Sequence, residues 1–413
     1  MKLSKKKHQK KRSTGRQSSS FPQDVVACTV ESILGVKERG LVRMPIAERL
    51  NQFLHRKRTA VESSASASNQ QQQPNKEAFV HCKTGQHTSF GSFEVVKVSE
   101  LERRVHAMRY KNTTSNRKAP SLKPICNLDI SKHQGTLTKK DAAMVQVASN
   151  FNCLENGNEN RGPDCGNLVD FSSKDSTQGP AAVFGTLSAY LWRAHFYNPP
   201  LADENAAKDT GTSRINCLQY VSEYFGKPKN GKLVLAGDEQ AITEDSMDEV
   251  VGSVCIGLHK DCPIMFGRNN HGKVYSTKDG AGLPTAESGE YFQMVDHVLT
   301  ASVNYNFYGK LSDDCLDSVY GSAKDKKAAY IDRMARTLLR ASYEATYLSA
   351  ILQGRKTLLL TFVGGGSFSN PVPIIVEEMK RAHAKWANHP ASRLEKCQVC
   401  MWGSNPATVE MFN

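Results

Sequence analysis

The sequence predicts an α/β protein with a mixed, partly parallel sheet that is flanked by helices in three layers. Residues 358–363 form a short, almost wholly apolar run, which is typical of a strand buried on both faces of a parallel sheet. Residues 326–352 show the apolar spacing of a long amphipathic helix, and residues 298–306 before them form another strand-like run. Strand, helix and strand in this order predict a βαβ crossover, so at least part of the sheet is parallel.

Size and composition indicate a globular intracellular protein. The 413 residues can hold one large domain or two ordinary ones, and the apolar fraction of 39% together with glycine is sufficient for a core. No run approaches the roughly 18 apolar residues of a membrane span, and the Lys-rich start lacks the apolar core of a secretory signal. Eleven cysteines without a regular spacing indicate reduced thiols.

The positive charge is concentrated at the start of the chain. Eight Lys and Arg residues lie within residues 1–16, before the first acidic residue, Asp24, and this leaves only +5 of the net +13 for the remaining 397 residues. Such a segment predicts a nuclear or nucleolar location in preference to a cytoplasmic one, or a nonspecific contact with nucleic acid. A solvated tail with neither role is the alternative.

Composition divides the chain into four predicted segments. Residues 1–23 are a disordered basic tail, residues 24–62 a short helical segment, residues 63–77 a low-complexity linker, and residues 78–413 the main α/β domain. Within the second segment, Ile46, Leu50 and Phe53 have helical spacing and follow Pro45. The role of this segment does not follow from its sequence.

The first half of the main domain alternates apolar runs with polar stretches. A strand is predicted over residues 92–98, a helix over 99–108, a polar loop over 111–132, a strand over 144–148 and another loop over 156–176.

A longer helix follows, and then two further strands. Thr177-Gln-Gly-Pro180 opens a helix over residues 181–196, and Pro199-Pro200 ends it. Strands are predicted over residues 232–236 and 252–258, with an acidic stretch over residues 239–249 between them.

The glycine-rich loop after the 358–363 strand suits an anion. Gly364, Gly365 and Gly366 end the strand, Pro371 and Pro373 favour a helix start, and Asn370 is a candidate N-cap. Glycines let the backbone approach a ligand, and N–H groups at a helix start point toward an anion. The pattern is neither a Walker loop nor a dinucleotide fingerprint, so a tight turn without a ligand is the alternative.

Two further features follow the same logic. Asn150 and Asn152 come after the 144–148 strand, where amide groups suit sugar hydroxyls, although an Asx turn would also explain them. Gln178 and Gly179 stand directly before a helix, as a second N–H-rich turn.

The order of these three motifs resembles the macro-domain superfamily, over about residues 140–390. This resemblance implies a macro-domain-like α/β fold that binds ADP-ribose or an ADP-ribosylated protein, and some members also hydrolyse the ADP-ribosyl linkage. The positions that match the ribose loop, the first glycine loop and the diphosphate loop are Asn150, Phe151, Asn152, Gln178, Gly179, Gly364, Gly365, Gly366, Ser367, Phe368 and Asn370. Phe151 interrupts the first loop, Gln178-Gly-Pro replaces a glycine pair, and the connections are long, so the chain resembles a divergent member.

An acidic pair after the third motif is the candidate for catalysis. Glu377 and Glu378 follow the glycines, and glycines followed by an acidic pair resemble the poly(ADP-ribose) glycohydrolases, in which such a pair acts as general acid and base. The alternative is that these glutamates complement the dipole of the predicted helix. No Ser/His/Asp arrangement or zinc-hydrolase helix offers another catalyst.

No cofactor and no metal are expected. Cys397 and Cys400 form the one close cysteine pair, but His383 and His389 are too loosely spaced to complete a zinc motif, so the pair is interpreted as ordinary.

Three functions therefore remain as hypotheses. The first is an ADP-ribose pocket, as reader or hydrolase, which explains both glycine loops. The second is a nucleic-acid-associated protein that uses its basic tail beside a non-catalytic scaffold, although known RNA-binding signatures are missing. The third is another α/β enzyme that processes a nucleotide or a phosphosugar.

Overall fold

The fold is known from a computed structural model, which describes residues 30–55, 78–85, 87–109, 119–137, 139–155, 166, 177–197, 215–233, 239–265, 294–305 and 326–413. The predicted tail over residues 1–23, the linker over 63–77 and Pro199-Pro200 lie outside the described residues, as does the 156–176 loop apart from Gly166. Among the described helices, none has both the length and the apolar character needed to cross a membrane.

The helices are α1 Val30–Leu34, α2 Glu38–Leu41, α3 Ile46–Phe53, α4 Val98–His106, α5 Ile130–Thr136, α6 Gln178–Gly185, α7 Leu187–Leu191, α8 Ser222–Phe225, α9 Glu244–Ser253, α10 Lys326–Leu352, α11 Val372–Trp386 and α12 Pro406–Glu410. A 3-10 turn covers Lys139–Asp141, and a π-helical turn covers Trp192–Phe196. The strands are β1 Leu54–His55, β2 Ala78–Val80, β3 His87–Ser89, β4 Ser92–Lys97, β5 Leu122–Ile125, β6 Ala143–Ala148, β7 Cys255–Pro263, β8 Met294–Thr300, β9 Thr357–Thr361 and β10 Lys396–Cys400.

Seven strands form the central sheet, in the order β4-β7-β8-β6-β9-β10-β5. The strands from β8 to β5 are parallel, and β7 is antiparallel to both of its neighbours. Helices α4, α9, α10 and α11 pack together, while α5, α6 and α7 form a separate group. The predicted α/β class, with a mixed, partly parallel sheet between helix layers, is thereby confirmed.

Two polar side chains on neighbouring rungs of the sheet mark its two faces. Gln146 on β6 reaches α10, where its Nε2 donates to Thr346 Oγ1 at 3.0 Å, and its Oε1 accepts from the backbone N–H of Thr361 at 3.2 Å. His297 on β8 points the other way, with its Nε2 2.7 Å from Gln134 Oε1 on α5. Because side chains alternate along a strand, these contacts fix which residues face each helix layer.

Most of the predicted elements are confirmed within a few residues. They are α3, α4, α10, β4, β6 and β9, and α10 has the predicted bounds. The predicted helix over 181–196 is interrupted at Thr186, whose ψ of 52° separates α6 from α7.

The polar loop predicted over residues 111–132 is wrong in its described part. Leu122–Ile125 is β5 and Ile130 begins α5. Among the described strands, β5 pairs with β10 alone, at the edge of the sheet, and none of its side chains is fully buried. It therefore lacks the apolar run of an inner strand.

Three other strand predictions need correction. The strand predicted over 252–258 is β7, which begins at Cys255 because residues 252–253 complete α9. The strand predicted over 298–306 is β8, which begins earlier, at Met294. The prediction missed this start because the buried Asp296 and His297 break the apolar pattern. At the strand predicted over 232–236, Lys232 forms only an isolated bridge with Lys229, and residues 234–236 lie outside the described part.

The described part of residues 24–62 contacts the rest of the chain. β1 pairs with β2 in a small antiparallel sheet, and the ring of Phe53 packs edge-on against Phe196. His195 Nε2 lies 3.0 Å from Glu38 Oε1 in a buried pair. The predicted domain boundaries stay predictions.

His297 gives the fold an expected dependence on pH. Burial, with a contribution from the positive charge of Arg193, lowers the pKa of His297 to about 3. Below a pH of about 6.5 the unfolded chain therefore binds a proton at this position that the folded chain does not bind. The free energy of unfolding should fall by about 1.4 kcal/mol for each further pH unit, until the folded histidine also titrates.

The replacement His297→Gln should remove this contribution. Denaturant unfolding of both proteins at about pH 7 and about pH 5 would measure it. Equal losses of stability in the wild type and the variant would contradict the assignment to His297.

Candidate functional site

A cleft of about 210 Å³ opens at the carboxyl ends of β6, β8 and β9. Its walls are residues 148–150 and Glu155 after β6, residues 177–180 at the start of α6, Ser302 after β8, most of 362–368 after β9, and Lys232. Ligands of α/β proteins bind beyond the carboxyl ends of parallel strands. The three sequence motifs, which are far apart in the chain, thus meet at one cleft.

The loop after β9 presents its third glycine to the cleft. Gly364 has a φ of +71°, and a Cβ there would lie 2.5 Å from Asn370 Nδ2, so only glycine suits this position. A Cβ on Gly366 would meet no atom within 4 Å, and Gly364, Gly366, Ser367 and Phe368 all line the cleft, as predicted. Among the described residues, the backbone N–H groups of Gly366 and Phe368 have no acceptor, so they are open to an anion.

The structure does not bring Gly365 and Asn370 to the cleft wall. A Cβ on Gly365 would lie 3.1 Å from Ile375 Cδ1, against α11. The prediction of Asn370 as an N-cap is wrong, since Pro371 holds that position without a side-chain bond. Asn370 is buried behind the loop, where it accepts from Ser302 Oγ at 2.8 Å and donates to Val303 O at 2.8 Å. It joins the loop after β9 to the segment after β8.

The start of α6 lies directly against β6. A Cβ on Gly179 would be 1.8 Å from Ala148 O, so helix and strand approach as closely as glycine permits. Gln178 Oε1 accepts from the N–H of Ala148, and its Nε2 donates to Gln146 O, both at 3.2 Å. Gln178 therefore joins the start of α6 to the backbone of β6, and residues 177–180 line the cleft there.

The turn after β6 separates the three residues that match the ribose loop. Asn150 lines the cleft, and its Nδ2 donates to Leu154 O at 2.6 Å. Asn152 Oδ1 accepts from the N–H of Leu154 at 3.1 Å. This bond forms the Asx turn that was the alternative to a role in binding a sugar. Phe151 and Asn152 are buried and do not line the cleft.

The acidic pair on α11 lies outside the cleft. Glu378 is buried and pairs with Arg340 at 3.1 Å, while the exposed Glu377 pairs with Arg336 at 2.8 Å. These ion pairs join α11 to α10. Both glutamates thus join two helices, and neither lines the cleft.

Several polar residues of the cleft were not singled out from the sequence, among them Glu155, Lys232 and Ser149. Among the described lining residues, Glu155 is the one acidic residue and Lys232 the one basic residue. Glu155 is buried, and its backbone carbonyl accepts a hydrogen bond from Tyr190 Oη at 2.8 Å. The Ser149 hydroxyl is buried in the wall and has no partner among the described residues, which suits a ligand hydroxyl or phosphate oxygen. The Asn230-Gly231 pair before Lys232 is a hairpin signal that the sequence contains, but Glu155 and Ser149 have no comparable signal.

The part of the chain that the structure describes holds no cluster of metal ligands. In the described ranges, no three or more His, Cys, Asp or Glu side chains are arranged to hold one. Cys397 and Cys400 are buried on β10, and burial raises the pKa of Cys400 to about 12, so this thiol is protonated near neutral pH.

Fold and cleft together define an α/β protein with a polar cleft at the carboxyl ends of its central strands. No family model matches the chain, and neither does any curated protein sequence. Solved structures similar to it include the poly(ADP-ribose) glycohydrolase of Deinococcus radiodurans in complex with ADP-ribose, at 12% identity and a TM-score of 0.39, over 78% of this chain and 92% of that chain. The poly(ADP-ribose) glycohydrolase of Thermomonospora curvata is similar at 11% identity and a TM-score of 0.37, over 91% of this chain and 97% of that chain. Likenesses this distant establish neither the family nor the activity of this chain.

Proposed function

We propose that this cleft binds ADP-ribose, either free or attached to a protein. The observation that carries the proposal is the meeting of two backbone turns at one cleft, the start of α6 at Gly179 and the loop after β9 at Gly366. Two such turns on one cleft suit the two phosphates of a diphosphate, because each presents backbone donors to an anion. The order of the motifs, which resembles macro domains, favours ADP-ribose among diphosphates.

The size and the polar groups of the cleft support the sugar-diphosphate part of this ligand. Its described walls enclose about 210 Å³, less than the roughly 300–1,000 Å³ of typical small-molecule pockets. The diphosphate and one ribose would lie within, and the rest of the ligand would extend beyond these walls. Ser149 and Asn150 offer polar groups for ribose hydroxyls.

Hydrolysis of the ADP-ribosyl linkage would require an acid or base within reach of it. Glu155 is the carboxylate that the described walls supply, so we propose it, rather than Glu377 or Glu378, as the group for this step. General acid–base catalysis contributes about 10²–10⁴-fold.

Ligand-dependent melting of the full chain tests binding. ADP-ribose at about 100 times its dissociation constant should add about 2.7 kcal/mol to the free energy of unfolding. NAD, ATP and RNA are the comparison ligands. If ADP-ribose leaves the melting curve unchanged while ATP or RNA shifts it, the proposal fails in favour of the other α/β enzyme or the nucleic-acid-associated protein.

Activity toward mono- and poly-ADP-ribosylated protein tests hydrolysis separately. Glu155→Gln should reduce hydrolysis by about 10²-fold or more but retain ADP-ribose binding, and the exposed Glu377→Gln is the matched control with full activity. Binding without hydrolysis by the wild type would define a reader.

The basic tail supports a second, independent proposal. We infer that residues 1–23 direct a nuclear or nucleolar location and add a salt-dependent contact with nucleic acid. The reason is that this segment contains eight Lys and Arg residues and no acidic residue. A chain without this segment that keeps its nuclear distribution would contradict the targeting role.

A further inference from the structure

Lys232, the basic residue that lines the described part of the cleft, belongs to a tight turn. Lys229 and Lys232 form a β-bridge in which each backbone N–H donates to the carbonyl of the other, at 2.9 and 3.0 Å. Between them, Asn230 and Gly231 have φ values of 47° and 78°. Positive φ at both central residues is the type I′ turn, for which Asn-Gly is the preferred pair. The turn therefore has one well-defined shape.

This turn is docked on the turn after β6. The N–H of Phe151 donates to Gly231 O at 2.8 Å, and a Cβ on Gly231 would lie 2.3 Å from Asn152 Cγ. The contact leaves no space for a side chain at Gly231. Phe151 and Asn152, which do not line the cleft, thus hold the turn that carries Lys232.

Lys232 stands between two walls of the cleft that belong to different parts of the chain. Its Nζ donates to Asn150 Oδ1 at 3.3 Å on one side and lies 5.2 Å from the ring centroid of Phe368 on the other. Phe368 belongs to the loop after β9 that lines the cleft, so the ammonium group lies beside the position proposed for the diphosphate.

We propose that Lys232 is the phosphate-binding cation of this cleft and makes it select phosphate-bearing ligands over neutral nucleosides and sugars. This assignment rests on the proposed function. Backbone N–H groups supply partial charges, whereas Lys232 adds a full charge at the position where a phosphate would sit. Because the Asn230-Gly231 turn fixes the backbone, little ordering of the chain opposes the contact.

The test compares Lys232→Met with Lys229→Met, which removes the same charge from the exposed side of the same turn. ADP-ribose, ADP, inorganic pyrophosphate and adenosine are titrated against the full chain, with melting curves as a check on folding. Lys232→Met should lose at least about 10-fold in affinity for each phosphate-bearing ligand and keep its affinity for adenosine. Lys229→Met should stay within about 2-fold of the wild type, and Lys232→Arg should retain most of the affinity, since it retains the charge.

The outcomes separate this proposal from the proposed function. If the wild type binds ADP or pyrophosphate through Lys232 but not ADP-ribose, the assignment of Lys232 stands and the proposed function fails. If the wild type binds ADP-ribose and Lys232→Met binds it equally well, the assignment fails alone. Equal losses for adenosine and ADP-ribose would show a structural role and overturn it, and so would a wild type that binds no phosphate-bearing ligand.

Discussion

Gly366→Glu is expected to abolish ADP-ribose binding and leave the protein folded. A side chain at this position enters open space in the cleft, since a Cβ would meet no atom within 4 Å. The carboxylate would occupy the volume of a ligand phosphate and repel it. We expect a loss of at least about 100-fold in affinity, or about 2.7 kcal/mol, with a stability within about 0.5 kcal/mol of the wild type. Calorimetric titration and denaturant unfolding of the same preparation measure the two quantities.

The neighbouring glycine is the matched control. In Gly365→Glu the new side chain meets Ile375 and Phe362 at 3.1 Å, so the expected cost is about 1–3 kcal/mol of stability. Gly366→Glu with undiminished affinity would mean that the phosphates do not lie on this loop. A Gly365→Glu protein of normal stability and lost affinity would mean that the loop presents its second glycine to the ligand.

Gly179→Ala is expected to damage the fold and the cleft together. The added methyl carbon would lie 1.8 Å from Ala148 O and 3.0 Å from Ala148 C, and neither backbone atom can rotate away. The start of α6 would have to withdraw from β6 and break both bonds of the Gln178 side chain. We expect a loss of about 3 kcal/mol or more in the free energy of unfolding, and a loss of ADP-ribose affinity in whatever protein remains folded.

Gly40→Ala is the control for the chemical change itself. A Cβ on Gly40 in α2 would meet no atom within 4 Å, so this replacement should be neutral or stabilise by up to about 1 kcal/mol. Both variants are compared with the wild type by denaturant unfolding. A Gly179→Ala protein as stable as Gly40→Ala would show that α6 does not need this close contact with β6.

The sequence predicted those parts of the fold whose pattern is local. The long helix α10 and the inner strands β6 and β9 are apolar at regular spacing, so their positions follow from periodicity. The sequence did not predict β5, because an edge strand buries few side chains. It also missed the start of β8, where the charge of the buried Asp296 is compensated by Arg355, whose Nε lies 2.6 Å from Asp296 Oδ2. Such compensation depends on a residue far away in the chain and leaves no local pattern.

The cleft was predictable as a meeting of motifs, but not in its details. Strand ends and glycines located Asn150, Gly179 and the loop after β9. Gly364 and Gly366 line the cleft and Gly365 does not, a difference that depends on backbone dihedral angles, whereas the sequence assigned all three alike. Lys232 enters the cleft only because its turn docks on Asn152, which is a tertiary contact.

The central position of β6 has a consequence for the order in which the protein is made. Gln146 on β6 bonds to Thr346 and Thr361, which follow it by 200 and 215 residues. At about 5–20 residues per second, a ribosome needs on the order of 10 s or more to supply these partners after β6. During this time β6 lacks these partners in the nascent chain, and its exposed apolar side chains are a target for chaperones. The cleft is complete only when the loop after β9 has been made, so ligand binding would report that β6, β8 and β9 have come together.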